Sequence, residues 1–297
     1  MPVYRLAHLS DLHLPTDWTP ASLGELFSKR ATSSLAWRRK RRRHSTDVLA
    51  TMIADVAAWA PDHIVLTGDL TNFSTPGEFT QARAWLSALG EPGKVTVSPG
   101  NHDALVAGGL KARFAGLRPW FGDDGEDFPY VRRRGPAALI NLCSAEPTPL
   151  HLATGRLGPA QMERLDAILQ KLGREKLARI LMLHHPVADG VVSERKSLTD
   201  RRAFRDVIAR RGAELILHGH THEQIFATLP GPDGSIVALG APSASSAMGG
   251  RRPARWHAIE ISESELRIQL RGYDPLSRTV IDAGRFTLPV FSAGIAA

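Results

Sequence analysis

Residues 215–222 read Leu-Ile-Leu-His-Gly-His-Thr-His, a short apolar run followed at once by alternating histidines. A short apolar run that ends in a polar loop is typical of a strand buried on both faces of a sheet. Histidines at alternate positions of an extended segment point to the same face. The pattern therefore predicts a buried strand whose end directs His220 and His222 toward one place.

Four other apolar runs also end in short loops that are rich in Asp, Asn or His. These loops are Ser10-Asp11-Leu12-His13, Thr67-Gly68-Asp69-Leu70-Thr71-Asn72, Pro99-Gly100-Asn101-His102-Asp103 and His184-His185-Pro186. Besides His218, six of the twelve histidines fall in the five loops. Because ligand sites in open α/β sheets lie at the carboxyl ends of the strands, we expect the loops to converge.

A divalent metal explains why such loops would bring carboxylates, amides and imidazoles together. Crowded carboxylates without a counterion would repel one another, and their pKa values would rise. Imidazole combined with carboxylate and amide oxygen suits Fe, Mn, Zn or Co better than Ca or Mg. Seven candidate ligands are too many for one ion and enough for two ions that share a carboxylate. Two such ions, about 3.5–4 Å apart, form the usual clamp for in-line displacement at phosphorus.

Strands and helices alternate along the chain as far as His222, and strands alone follow. The hydrophobic spacing predicts helices over residues 47–59, 77–89, 104–114, 158–172 and 200–211. It predicts strands over residues 3–10, 64–66, 95–97, 137–143, 180–183 and 215–217, and then over 224–229, 235–239, 256–261 and 266–273. This order of elements indicates an α/β fold with layered sheets.

The composition excludes several classes of protein. The single cysteine, Cys143, rules out a disulfide scaffold and a cysteine-based zinc site, and its apolar surroundings predict an inert core residue. No apolar run approaches the roughly 18 residues that a membrane-spanning helix requires. Residues 1–11 lack the basic start and long apolar stretch of a secretory signal, so we expect a cytoplasmic protein.

The net charge of +7 comes from one basic segment. Eight cations and no acidic residue lie within residues 26–46, which leaves the rest of the chain close to neutral. Such a segment is either a solvated stretch or an interaction surface. It could bind an anionic membrane surface or a lipid-linked substrate, or, as a less favoured alternative, nucleic-acid phosphates. Because it directly follows the first polar loop, we expect it to border the pocket.

The five loops together resemble the signature blocks of the calcineurin-like metallophosphoesterase superfamily. The resemblance covers residues 6–222, and all five blocks are present. Gly-Asp-Leu-Thr-Asn, Pro-Gly-Asn-His-Asp and His-His-Pro are similar to the branch that includes bacterial cyclic-nucleotide phosphodiesterases. The resemblance implies a four-layer αββα sandwich with two central mixed sheets. The order of elements along the chain predicts one domain over residues 1–290, with a basic insert at about 15–46, a strand-rich part from about 223, and a loose tail at 291–297.

The resemblance further implies the roles of individual residues. The ligands of a first metal would be Asp11, His13, Asp69 and His222. The ligands of a second metal would be Asp69, Asn101, His184 and His220, so that Asp69 bridges the two ions. His102 would contact the phosphate and protonate the leaving oxygen. From the residues themselves, Asp103 would either orient His102 or be an exposed carboxylate at the start of a helix. His185 would face either the substrate or the core, and His8 and His218 would be structural. The candidate contacts to substrate or membrane in the basic insert are Arg38, Arg39, Arg41 and Arg42.

The reaction that these features imply is hydrolysis of a phosphodiester or phosphoanhydride by a hydroxide that bridges two divalent ions. Mn, Fe, Zn or Co would serve, and Mn is the metal we expect to support activity in vitro. An alternative is a pyrophosphatase of UDP-diacylglucosamine in lipid A synthesis, since members with that activity share the Asp-Leu-His-Leu opening and act at the inner membrane surface. A nuclease is less favoured, because the aromatic content of 6% offers few stacking surfaces. A non-catalytic docking module is disfavoured by the intact ligand set. The sequence gives no indication of the oligomeric state.

Overall fold

The structure is a computed structural model that describes residues 3–15, 29–30, 43–123, 126–248 and 252–290. The strands, in chain order, are β1 (Tyr4–Leu9), β2 (His63–Leu66), β3 (Val95–Val97), β4 (Tyr130–Arg134), β5 (Ala137–Asn141), β6 (Ala178–Met182), β7 (Leu215–His218), β8 (Ile225–Gly231), β9 (Gly234–Gly240), β10 (Arg255–Ile261), β11 (Glu265–Asp274) and β12 (Thr279–Pro289). The helices are α1 (Thr46–Trp59), α2 (Pro76–Leu89), α3 (Leu110–Ala115), α4 (Pro159–Leu172) and α5 (Arg201–Arg211).

The strands form two mixed sheets of six strands each. The order in the first sheet is β12-β11-β10-β1-β2-β3, and the order in the second sheet is β4-β5-β6-β7-β9-β8. In the first sheet β1, β2 and β3 are parallel, and β10 pairs with β1 in the antiparallel sense. In the second sheet β5, β6, β7 and β9 are parallel, whereas β4 and β8 are antiparallel edge strands. The carboxyl ends of the parallel strands carry the polar loops.

Three apolar layers hold the sheets and helices together. Helices α1 and α2 cover the first sheet, with contacts among Met52, Val56, Phe79, Leu86, Leu66 and Trp256. Helices α4 and α5 cover the second sheet, with contacts among Leu165, Phe204, Ile140, Leu181 and Ile216. The two sheets face each other through Leu6, Val65, Leu139, Ile180 and Leu217. The expected four-layer αββα sandwich is therefore confirmed.

The start of α2 also fixes one of the polar loops. The Thr75 side chain accepts from the backbone N–H of Glu78, and the Glu78 carboxylate accepts from the N–H of Thr75, which completes a capping box. The same carboxylate accepts hydrogen bonds from the backbone N–H groups of Asn72 (2.9 Å) and Phe73 (3.0 Å). One helix terminus thus positions the loop that follows β2.

The structure differs from the sequence prediction in three places. The predicted helix over residues 104–114 is wrong, because turns occupy residues before Leu110, where Gly109 has a φ of 70°, and only the short α3 follows. Strands β4 and β12 were not predicted.

The tail at 291–297 and most of the basic insert lie outside the described residues. Within the described part of the chain, no helix has the length and apolarity needed to cross a membrane.

Candidate metal centre

The polar loops of both sheets meet at one end of the sandwich. Backbone hydrogen bonds join the loops after β1 and β2, from Asp11 N to Gly68 O (3.0 Å) and from His13 N to Asp69 O (2.9 Å). Across the second sheet, Gly219 N donates to His184 O (3.1 Å). Because these contacts are between backbone groups, the side chains of the loops remain available to build a site.

Four of the predicted ligands form a first set around one point. One side-chain ligand atom from each of Asp11, His13, Asp69 and His222 lies within 4.8 Å of the others. Nε2 of His222 lies 3.0 Å from Oδ1 of Asp11 and 3.3 Å from Nε2 of His13. Nε2 of His13 lies 3.9 Å from Oδ2 of Asp69. The structure therefore brings together the four residues predicted for the first metal.

The residues predicted for the second metal form an adjoining set. Oδ1 of Asn101 lies 3.1 Å from Nε2 of His184 and 2.8 Å from Nδ1 of His220. These two ring nitrogens are 3.2 Å apart, and Nε2 of His184 is 3.4 Å from Oδ2 of Asp69. Oδ2 of Asp69 therefore lies against both sets, as a bridging ligand would.

Hydrogen bonds on the far side of two rings fix which nitrogen faces the cluster. Nδ1 of His13 lies 3.0 Å from Oδ1 of Asn72, and Nδ2 of the same amide donates to Leu14 O (2.8 Å). The amide oxygen is thus the acceptor, and His13 donates from Nδ1. Nδ1 of His184 likewise donates to the carbonyl oxygen of Thr67 (2.7 Å). In the neutral imidazole the Nε2 atom of each ring then carries a lone pair directed into the cluster, as metal-bound histidines do.

The donor set fits divalent cations. Asp11 and Asp69 are buried, yet neighbouring histidines outweigh the effect of burial and keep the pKa of each carboxyl below its usual range. Oδ1 of Asp11 is buried and accepts no hydrogen bond from the described residues. Buried carboxylates are costly unless cations satisfy them, and divalent ions at these two sets would do so.

The backbone is strained where it presents these ligands. Five candidate ligands have positive φ angles: Asp11 (52°), His13 (45°), Asp69 (55°), His220 (70°) and His222 (55°). This region costs a residue with a Cβ roughly 1–2 kcal/mol. Such strain persists only when the surrounding structure enforces it, and it clusters at functional sites. The surrounding structure therefore holds the backbone of these loops in a strained conformation that directs the ligand side chains toward the cluster.

Two glycines let the loops approach one another closely. A Cβ on Gly100 would overlap Oδ1 and the backbone N of Asp69, and a Cβ on Gly219 would overlap Oγ of Ser10 and Oδ2 of Asp11. A side chain at either position would displace a candidate ligand. Glycine is therefore required at positions 100 and 219, because the loops pack too closely there for a Cβ atom.

His102 lies at the rim of the cluster, and Asn72 rather than Asp103 orients its ring. Nδ1 of His102 donates to the backbone oxygen of Asn72 (2.8 Å), and its backbone N–H donates to Oδ1 of Asp69 (2.8 Å). Asp103 is buried and accepts from Gly100 N (2.9 Å) and Thr71 N (2.9 Å). Burial and then the charge of Asp69 raise the pKa of Asp103 to about 6. The role predicted for Asp103 is thus corrected: it fastens two loops together.

The remaining predicted histidines are buried. His185 is fully buried, its Nδ1 lies 2.8 Å from Oγ of Ser144, and burial lowers its pKa to about 3. Its ring centroid lies 4.6 Å from that of His220, beside the second ligand set, so a contact between His185 and the substrate stays a prediction. His8 and His218 are buried in β1 and β7, as expected. Cys143 follows β5, and burial raises the pKa of its thiol to about 12.

His44 belongs to the site although no motif marked it. Its ring centroid lies 4.4 Å from that of His13 and 5.6 Å from that of His222. A ring nitrogen from each of these three histidines lies within 4.8 Å of the others. The only signal in the sequence was its place at the end of the basic segment. Asn72 was also missed as an orienting residue, although it lies within a quoted motif.

Lys29 and Arg30 are cations of the basic segment that lie within the described residues, and both contact other loops. Arg30 is buried, and its Nε donates to the carbonyl oxygen of Phe73 (2.9 Å). Nζ of Lys29 donates to Oγ1 of Thr148 (2.6 Å) and to the carbonyl oxygen of Leu152 (2.9 Å). Lys29 and Arg30 thus contact the loops after β5 and β2, and whether the segment borders the pocket stays a prediction. Arg38, Arg39, Arg41 and Arg42 lie outside the described residues.

Comparison with known proteins identifies the family. A model of the calcineurin-like phosphoesterases matches residues 4–224. The chain belongs to this family. A probable cyclic nucleotide phosphodiesterase from Synechococcus sp. is 28% identical over 274 residues, which cover 91% of this chain and 92% of the relative. A probable cyclic nucleotide phosphodiesterase from Rhodococcus erythropolis is 27% identical over 243 residues, which cover 80% of this chain and 71% of the relative. The calcineurin-like phosphoesterase described here is therefore a hydrolase that acts on phosphoester bonds.

Solved structures share the fold of this phosphoesterase. A dimetal phosphatase from Danio rerio superposes with a TM-score of 0.58 at 14% identity, covering 98% of this chain and 100% of that chain. The purple acid phosphatase PPD1 from yellow lupin superposes with a TM-score of 0.63 at 14% identity, covering 96% of this chain and 53% of that chain. At these identities the likeness shows the αββα architecture alone.

Proposed function

We propose that this phosphoesterase is a dinuclear metal-dependent phosphodiesterase. The observation that carries the proposal is the position of Asp69, whose Oδ2 lies 3.9 Å from Nε2 of His13 in one ligand set and 3.4 Å from Nε2 of His184 in the other. A carboxylate shared by two sets of imidazole and oxygen donors is what a pair of divalent ions requires. The first set is Asp11, His13, Asp69 and His222, and the second is Asp69, Asn101, His184 and His220.

The ions would supply an activated water and offset the negative charge that develops on the phosphate. The residues of the chain orient the ligand atoms. His13 and His184 each hold a proton at Nδ1 against an oxygen of the protein, which keeps Nε2 directed inward. Strained backbone and buried hydrogen bonds fix these orientations before any substrate arrives. Such preorganisation is the usual source of electrostatic stabilisation in enzymes.

His102 is the residue that we propose for proton transfer to the leaving oxygen. Its Nδ1 is occupied by the backbone oxygen of Asn72, so Nε2 is the atom that can carry the transferred proton. The ring packs edge-on against His13, with centroids 5.0 Å apart, which places it beside the first ligand set. Histidine is the side chain that most often serves as a general acid or base in enzymes.

A phosphodiester is the proposed substrate class, and cyclic nucleotides are the first members of that class to test. The support comes from the names of the two relatives, both probable cyclic nucleotide phosphodiesterases, which match most of the chain. Mn, Fe, Zn and Co all suit the mixed nitrogen and oxygen donors.

The test is hydrolysis of bis(p-nitrophenyl) phosphate and of 3′,5′-cyclic AMP by metal-free protein and after addition of each of the four metals. We expect no turnover without metal and restored turnover with Mn. A UDP-linked acyl sugar, tested in parallel, would report a pyrophosphatase activity instead. Failure of every metal to support hydrolysis of any of these compounds would refute the proposal.

A further inference from the structure

We propose that His44 is a substrate-contact residue, whose imidazole binds a phosphate oxygen of the ester beside the first ligand set. The inference rests on the proposed function and extends it to a residue outside the five loops. The chemical group that it would recognise is the anionic phosphoryl oxygen, whichever alcohol is esterified to it.

The position of His44 is the first argument. Its ring packs against His13, at 4.4 Å between centroids, and His102 contacts the same ring of His13 at 5.0 Å. The ring of His13 therefore contacts His44, which precedes α1, and His102, which lies in the loop after β3. A phosphate held by the ion at the first set would lie next to this group of rings.

Distances argue that His44 is a neighbour of the first ligand set and not a fifth member of it. A ring nitrogen of His44 lies within 4.8 Å of nitrogens of His13 and His222, but the set that contains Asp11 and Asp69 does not include His44. Two ligands on opposite sides of one ion are separated by about 4.4 Å at most, twice a bond of about 2.2 Å. At least one of the two carboxylates therefore lies farther from His44 than two ligands of one ion can, which places His44 beside the four-residue set and not in it.

The placement of His44 is fixed by the loop after β9. Nδ1 of His44 lies 2.8 Å from Oγ of Ser245, and the flanking Ser45 donates its N–H to the carbonyl oxygen of Ser245 (2.8 Å). In the same loop, Oγ of Ser243 donates to the carbonyl oxygen of Asp11 (2.6 Å). One loop therefore positions both His44 and the backbone of a first-set ligand, so their relative geometry is constrained.

The chemistry of the ring suits a phosphate contact. A neutral imidazole has one N–H and one lone pair, and a serine hydroxyl can donate to the latter. When Oγ of Ser245 donates to Nδ1, the other nitrogen of His44 carries the hydrogen that a phosphate oxygen accepts. A hydrogen bond to an anion contributes more than one between neutral groups, and its loss corresponds to a change of about 10- to 100-fold in affinity.

The test compares His44→Ala and His44→Gln with a control, His151→Ala, which changes an exposed histidine outside the two ligand sets. Each protein is loaded with Mn, and three quantities are measured: the bound Mn per chain, the affinity for inorganic phosphate by calorimetry, and kcat and KM for bis(p-nitrophenyl) phosphate. We expect His44→Ala to keep the metal content of the unchanged protein while phosphate affinity falls and KM rises about 10-fold or more. His44→Gln, which retains a donor, should recover part of both, and His151→Ala should match the unchanged protein.

Two results would overturn the inference. Unchanged phosphate affinity and KM in both His44 variants would show that the ring does not contact the substrate. Loss of bound Mn would show that it is a metal ligand instead. If His44→Ala does not fold, His44→Gln decides on the same measurements. If the wild-type protein binds phosphate but hydrolyses no ester, the proposed function is refuted. The phosphate affinities of the variants would still show whether His44 contacts the phosphate.

Discussion

Oδ1 of Asn72 accepts a hydrogen bond from Nδ1 of His13 over 3.0 Å. The backbone oxygen of the same residue accepts from Nδ1 of His102 over 2.8 Å. One residue of the loop after β2 thus sets the tautomer and the direction of a candidate ligand and of the candidate proton donor. The Glu78 carboxylate, which accepts from the N–H of Asn72, ties this arrangement to the start of α2.

Replacing Asn72 should weaken metal binding. In Asn72→Ala the ring of His13 loses its acceptor, and loss of such a supporting hydrogen bond typically costs 10- to 100-fold in metal affinity or activity. Asn72→Asp keeps an acceptor oxygen and should lose less. Calorimetric titration of Mn into the metal-free variants measures the effect. Equal affinities in Asn72→Ala and the unchanged protein would show that the orientation of His13 does not depend on this amide.

A methyl group at Gly100 should disrupt the site without a change of charge. The added Cβ would overlap Oδ1 and the backbone N of Asp69, so the bridging carboxylate must move. Displacements of about 1 Å can cost about 100-fold in rate, and we expect a loss of that order in kcat/KM for Gly100→Ala. Gly93→Ala is the matched control, since a Cβ there meets no atom within 4 Å. Similar activity in both variants would contradict the close approach.

The sequence predicted the site better than it predicted the edges of the fold. Apolar strands that end in Asp-x-His or Gly-Asn-His-Asp are local patterns, and the carboxyl ends of parallel strands necessarily share one edge. The edge strand β12 is mostly exposed along its length, so its sequence lacks the continuous apolar run of a buried strand. The failed helix over residues 104–114 had suitable spacing, but its first half belongs to the turn that presents Asn101 and His102.

The residues that the sequence could not reveal act through partners far away in the chain. His44 reaches the site because its segment pairs with the loop around Ser245, a contact across 201 positions. The role of Asp103 was predicted wrongly because the sequence does not show which groups a carboxylate contacts. The same motif fits an aspartate beside an imidazole and an aspartate that binds backbone N–H groups. Only the tertiary structure distinguishes these environments.

A buried histidine remote from the site should make stability depend on pH. His63 is fully buried at the start of β2, with Nε2 2.7 Å from Oγ1 of Thr96. Burial, then Arg132 and Arg134, lower its pKa from 6.5 to about 3. The unfolded chain therefore binds a proton at this residue below pH 6.5 and the folded chain does not, so the stabilisation is complete above pH 6.5 and is lost as the pH falls toward 3.

His63→Gln isolates this contribution, because glutamine does not titrate. As the pH is lowered from 6.5 toward 3, the free energy of unfolding of the unchanged protein should fall relative to the variant by about 1.4 kcal/mol per pH unit. Urea unfolding of metal-free protein at several pH values measures the difference. His151→Gln, at an exposed position, should show no such trend. A difference that is constant across this range would contradict the lowered pKa.

The number of bound ions tests the two-set arrangement most directly. We predict that elemental analysis after loading with Mn and desalting gives two ions per chain for the unchanged protein. His13→Ala and His184→Ala should each retain about one ion, because each removes a ligand from a different set, and Asp69→Ala should retain less than either. A single ion in the unchanged protein, or two ions in all three variants, would contradict the account.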